Sequence, residues 1–106
     1  MGIKSNKMYK EITVNCDTVD SIINSLKLDT VCLMKIDVEG GELKVLKGAK
    51  KALAQKKMHY IQLERHVTDL RKNDSKEIHG LLEGFGYIRK KSIRHLFGSV
   101  YDDFYS

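Results

Sequence analysis

The sequence predicts an α/β domain on a mostly parallel sheet, and three observations carry that prediction. Short apolar runs with strand character recur at 11–16, 31–39 and 59–64. Amphipathic stripes at helical spacing lie between them and after them. No proline, internal repeat or low-complexity linker interrupts this strand-helix-strand-helix-strand order, which is the pattern of an α/β layer fold. A length of 106 residues favours one domain with one modest core.

Residues 1–10 read as a polar lead-in, and the domain as 11–106. Glu11-Ile12-Thr13-Val14-Asn15-Cys16 alternates with period two, as a short strand does. Asp17 or Thr18 then caps a helix in which Val19, Ile22, Ile23 and Leu26 recur at helical spacing. Asp29-Thr30 turns the chain into the strand 31–39. After Gly40-Gly41, Leu43, Leu46, Ala49 and Leu53 form one apolar stripe, predicting a single helix that tolerates Gly48 at a cost of roughly 1 kcal/mol. A close approach of that helix to the sheet would account for the glycine.

His59-Tyr60-Ile61-Gln62-Leu63-Glu64 predicts the next strand, and residues 67–74 a polar loop. Asp74-Ser75-Lys76-Glu77 has capping-box spacing and starts a helix carrying Ile78, Leu81, Leu82 and Phe85, closed by Gly84 and Gly86. From Tyr87 to Tyr105 the chain reads as an antiparallel pair of strands turning near Phe97-Gly98-Ser99. The expected total is about five strands and three helices.

Composition excludes several classes. With 42% apolar and 31% charged residues the chain is too apolar for a disordered one. No run approaches the roughly eighteen apolar residues of a membrane span, and the start lacks the apolar core of a secretory signal, so a cytoplasmic setting is expected. Cys16 and Cys32 lie far apart and are expected to be buried thiols on strands. His59, His66, His79 and His95 form no ligand-type spacing, so no structural zinc site is expected. Nineteen basic against 14 acidic residues give +5, a balance that attracts nucleic acid or acidic membranes. The lysines are spread as pairs (Lys50-Lys51, Lys56-Lys57, Lys90-Lys91) and not gathered with stacking aromatics, which disfavours a nucleic-acid-binding domain.

The chemistry concentrates at the end of the second predicted strand. Lys35-Ile36-Asp37-Val38-Glu39-Gly40-Gly41-Glu42 packs four charged side chains into eight positions. By alternation Leu33, Lys35, Asp37 and Glu39 share one side, and Met34, Ile36 and Val38 the other. Open parallel sheets bind ligands at the carboxyl ends of their strands. Glu64, closing the next parallel strand, should project from the same rim, with His66 just beyond. Such a rim can hold a hard divalent cation through oxygen, or place a general base on a hydroxyl. A purely structural reading stays open beside this one. Lys35 can pair with Asp37 or Glu39, and Glu42 can favour the dipole of the following helix.

The block Lys35-Ile36-Asp37-Val38-Glu39-Gly40-Gly41-Glu42, followed by Val45-Leu46-Lys47-Gly48-Ala49, resembles K-I-D-V-E-G-A-E…V-L-x-G-A of the FkbM-like methyltransferases. Thr18-Val19-Asp20-Ser21-Ile22 resembles the family's T-L-D-x-L, Ile61-Gln62-Leu63-Glu64 its following strand, and Gly86-Tyr87 its G-Y. Val19 replaces the usual Leu and Gly41 the usual Ala. The resemblance covers roughly residues 11–90.

It implies a partial Rossmann-like sheet and an S-adenosylmethionine-dependent O-methyltransferase acting on hydroxyls of sugars or secondary metabolites. Asp37, Glu39 and Glu64 become its expected catalytic residues, Asp37 and Gly40 its cofactor contacts, and a divalent metal an optional helper. In the family the cofactor sits mainly on a Gly-rich half preceding T-L-D, whereas only a polar decapeptide precedes the Ile12 strand here. The chain thus resembles the C-terminal half of such an enzyme, which would be inactive alone. Its strand 31–38 is expected to keep an open edge, met by self-association, by strand 11–16, or by a missing N-terminal partner. The alternative is a non-catalytic interaction module that uses the same edge.

Overall fold

The computed structural model describes residues 11–13, 15–38, 40–67, 72–96 and 98–106. The lead-in 1–10, residues 68–71 of the expected polar loop, and the contributions expected of Val14, Glu39 and Phe97, lie outside the described residues.

The chain runs α1 (Val19–Ser25), β1 (Val31–Ile36), α2 (Glu42–Lys47), α3 (Lys50–Ala54), β2 (Met58–His66), α4 (Lys72–Gly84), β3 (Arg89–Arg94) and β4 (Val100–Tyr105). The four strands form one sheet in the order β1-β2-β4-β3. β1 and β2 pair in parallel with Ile36 opposite Leu63, while β4 runs antiparallel to both β2 and β3. The mixed α/β class and the antiparallel C-terminal hairpin are as the sequence predicts. The sheet has four strands instead of about five, with one parallel pairing and two antiparallel ones.

The missing strand is 11–16. Glu11, Ile12, Thr13, Asn15 and Cys16 are exposed and form no strand, with Ile12 at 76% exposure. Period-two alternation describes a face, but a strand persists only where a neighbour takes its backbone groups. This segment does not reach the free edge of β1, so that edge is not covered from within the described chain. Cys32, on that edge strand, and Cys16 are exposed free thiols, not buried ones.

The helix expected after Gly41 divides into α2 and α3, which makes four helices instead of three. Asp20 explains the break. Its carboxylate accepts from the N–H groups of Lys51 (2.9 Å) and Ala52 (2.8 Å), while its own N–H donates to Gly48 O at 2.9 Å. The start of α3 is thereby capped from a distance and the chain turns at 48–49. The close approach at Gly48 is to α1, not to the sheet. A Cβ there would lie 3.3 Å from Thr18 Cβ. Thr18 is the N-cap of α1, its Oγ1 accepting from Ser21 N, with Asp17 Oδ1 accepting from Thr18 N. Of the α1 stripe, Ile23 is buried and Ile22 and Leu26 are exposed.

α4 begins at Lys72, so Asp74 sits in its first turn rather than at its cap, where its charge still complements the helix dipole. Nothing at 72–73 breaks a helix, which lets it start earlier than the capping-box spacing suggests. Gly86 adopts φ +87°, the left-handed conformation glycine accepts without strain. This turn drops Tyr87 into the core, where its hydroxyl donates to Met58 O at 2.8 Å.

The core is one-sided. Ile36, Ile61, Leu63 and Tyr105 share a sheet face and pack with Leu46, Ala49, Ala52, Leu53, Ile78 and Leu82 from α2, α3 and α4. On the opposite face Leu33, Tyr60 and Ile93 are 50%, 54% and 44% exposed, and Gln62, Glu64, Asp102 and Phe104 are only partly buried. No helix among the described residues is long and apolar enough to cross a membrane.

Candidate functional site at the carboxyl ends of β1 and β2

Parallel pairing brings the two acidic strand ends to one rim. β1 stops at Ile36, so Asp37 is exposed in the loop that follows, and Gly40 turns that loop with φ +83°. That backbone conformation is itself sufficient reason for a glycine at 40. Glu39 lies outside the described residues. β2 runs to His66, two residues past the expected end, so Glu64 is inside the strand and His66 closes it. Glu42 opens α2 and is 7% exposed, consistent with its expected place in the first turn.

Asp37 and Glu64 line one cavity of about 190 Å³ together with Lys35, Ile36, Gln62, His95 and Asp102. Of the four expected site residues, the structure therefore unites two, sets Gly40 in the adjoining turn, and leaves Glu39 undescribed. Neither Asp37 nor Lys35 forms an ion pair among the described residues.

Two residues of this cavity were not anticipated. Asp102 stands directly opposite Glu64 across the β2–β4 pair, and like charges facing each other destabilise a sheet. Each carboxylate has an imidazole partner. Glu64 Oε1 lies 2.8 Å from His66 Nε2, and Asp102 Oδ2 lies 3.1 Å from His95 Nε2. Glu64, His95 and Asp102 each present one ligand atom, all within 4.8 Å of one another, so a hard divalent cation is one occupant this trio could hold. The signal for His95 was in the sequence. A turn at Gly98 sets His95 against Val100, whose carbonyl accepts from His95 N at 2.8 Å.

The other sheet face is built differently. Asp103, fully buried, accepts from Arg65 Nε at 2.6 Å and Nη2 at 3.3 Å and from the Ser92 hydroxyl, with Arg89 Nη1 3.7 Å away. Arg65 also lies over the Tyr101 ring at 4.5 Å. Beside this network the Tyr105 hydroxyl meets His79 Nδ1 at 2.9 Å, and His79 Nε2 lies 3.0 Å from Glu83. Burial pushes the Tyr105 phenol above its ordinary value of 10.0. Asp103 adds to that rise, and Arg89 and Arg65 oppose it.

Comparison with curated proteins and with solved structures gave no match. Residues 3–89 match the family model described as the methyltransferase FkbM domain. The match takes in the Thr18–Asp20 cap, the Asp37 rim, Glu64 and the Gly86-Tyr87 turn, and the chain belongs to the FkbM methyltransferase-domain family.

Proposed function

We propose that the rim around Asp37 and Glu64 is the acceptor side of an S-adenosylmethionine-dependent O-methyl transfer, acting on a hydroxyl of a sugar or secondary metabolite. The observation that carries this reading is the shared cavity of Asp37 and Glu64 at the ends of two parallel strands, in a chain of the FkbM family. The acceptor oxygen attacks the sulfonium methyl carbon in line. The C–S bond breaks toward a neutral thioether, and the hydroxyl proton passes to a carboxylate. Asp37 and Glu64 are the candidate bases, with Glu39 beside them in sequence and Gly40 and Asp37 toward the methyl donor. Glu64 is hydrogen-bonded to His66, which gives the proton a route outward. A divalent cation on Glu64, His95 and Asp102 would lower the pKa of a bound hydroxyl.

In this reading the Gly-rich turn for the cofactor comes from a further N-terminal methyltransferase segment, which pairs with the outer edge of β1 and covers the exposed sheet face. Two features support that occupant: β1 is the end strand of the sheet, and Leu33 on it and Tyr60 on neighbouring β2 are exposed. Calorimetry with S-adenosylmethionine tests the proposal on this chain and on a form extended at its N-terminus. The chain alone should not bind and the extended form should. Failure of both to bind sinks the reading, and self-association of the chain through β1 would assign the edge to a second copy. In an active extended form, Asp37→Asn should abolish turnover, and unchanged turnover would return Asp37 to a structural role.

A further inference from the structure

On the helix side of the same rim lies a second, larger concavity of about 480 Å³, lined by Arg65, His66, Val67, Ser75, Lys76, His79 and Arg89. Its volume is that of a small-molecule site. Among the described residues, every ionisable group in its lining carries nitrogen. Arg65 is held in place from beneath by hydrogen bonds, and Arg89 approaches the same anion more loosely. Arg65 and Arg89 both lean on Asp103, which is fully buried and carries a single negative charge. Two cations over one anion leave one positive charge in excess, and exposed Lys76 on α4 adds another. The carboxylates nearest the imidazoles are already engaged, Glu64 by His66 and Glu83 by His79.

From this arrangement we infer that the concavity binds the phosphate group of a small phosphorylated molecule. The Arg65 guanidinium, set in direction by its two hydrogen bonds to Asp103, and the more exposed Arg89 beside it suit a tetrahedral dianion, and the excess charge matches it. The pocket adjoins the methyl-transfer rim through shared lining residues. Arg65 and His66 line both this concavity and the neighbouring pocket that Glu64 shares, and Glu64 in turn lines the cavity of Asp37. An acceptor anchored here by its phosphate would extend its hydroxyl toward Glu64 and Asp37. That last step rests on the methyl-transfer reading; phosphate binding itself does not.

The test is titration of the ¹⁵N-labelled chain with inorganic phosphate at constant ionic strength, followed by amide chemical shifts. Saturable shifts should appear at Arg65, Val67, Lys76, His79 and Arg89. Arg89→Gln should weaken binding roughly tenfold, as loss of a charge-assisted contact does. Lys76→Gln, at an exposed helical position that leaves folding intact, should weaken it roughly threefold. Lys44→Gln on α2 should change nothing. Absence of saturable shifts, shifts scattered over the lysine-rich surface, or unaltered affinity in both pocket variants would overturn the inference. A sugar phosphate that binds more tightly than inorganic phosphate supports a small-molecule ligand. A short oligonucleotide that outcompetes both, with a steep salt dependence, would overturn it in favour of nucleic acid. None of these readouts needs a methyl donor, so failure of the methyl-transfer reading and failure of this one are told apart.

Discussion

Replacing Asp103 by Ala should cost the domain a large part of its stability. The side chain is fully buried, accepts two hydrogen bonds from Arg65 at 2.6 and 3.3 Å and one from Ser92, and sits in the β4 register opposite Leu63 and Ser92. Without it the Arg65 guanidinium, whose side chain is only 22% exposed, loses its counterion while staying within the fold. Stranding a charge in this way costs about 3–5 kcal/mol. The Arg89 contact, at 3.7 Å and 39% exposure, adds little, since solvent screens it.

Domains of this size are stable by about 5–15 kcal/mol, and each kcal/mol shifts Tm by about 4–8 °C, so the variant should melt roughly 12–40 °C lower or fail to fold. Urea unfolding followed by circular dichroism measures the loss, with an unchanged slope showing that the midpoint shift reports a change in stability. Combining Asp103→Ala with Arg65→Ala provides a cycle in which the pair should couple by more than about 1.5 kcal/mol. A single-variant loss below about 1 kcal/mol, or strict additivity in the cycle, would refute the assignment of Asp103 as the anchor of β2, β3 and β4.

Asp20→Ala should destabilise by about 1–2 kcal/mol, because it strips the cap from two N–H groups at the start of α3. Asp20→Asn, which keeps an acceptor oxygen, should lose less, and urea midpoints of the two variants decide it. The phenol of Tyr87 is raised above 10.0, chiefly by burial. The unfolded chain then releases this proton before the folded one does. Stability is fully present below pH 10.0 and is lost as pH rises from there through the folded pKa. Tyr87→Phe should therefore cost about 1 kcal/mol at neutral pH and flatten the alkaline decline, read as the urea midpoint against pH. A decline of undiminished slope in the variant would remove Tyr87 as its source.

The elements that were legible in the sequence are those whose periodicity reports a face buried against the core. The strands around Ile36 and Ile61–Leu63 and the α4 stripe of Ile78 and Leu82 are of this kind, and all of them reach the core. Residues 11–16 carry the same alternation without a neighbour, and pairing is a property of the partner as much as of the segment. The break at Gly48 was hidden because its cause, the Asp20 carboxylate, lies more than thirty residues from the N–H groups it caps. The rim was half visible. Asp37 and Glu64 follow from the chain direction of two parallel strands, whereas Asp102, Arg65 and Arg89 enter through the β2–β4–β3 register, which sequence spacing does not encode. The expected capping box at Asp74 shows the converse error, a local motif overridden by a helix that starts before it.

Asp102 and Asp103 are neighbours in sequence with opposite surroundings, because successive strand residues face opposite sides of the sheet. Asp103 turns to the helix side, where guanidinium groups and a hydroxyl satisfy it and burial is complete. Asp102 turns to the other side, directly against Glu64, with imidazole as the nearest nitrogen and a cavity shared with Asp37 in front of it. Folding alone would favour an uncharged or oppositely charged residue at one of those two positions, since the pair as it stands costs stability. That contrast supports reading Asp103 as the anchor of the sheet, and Glu64 with Asp102 and Asp37 as the acidic rim of the proposed site.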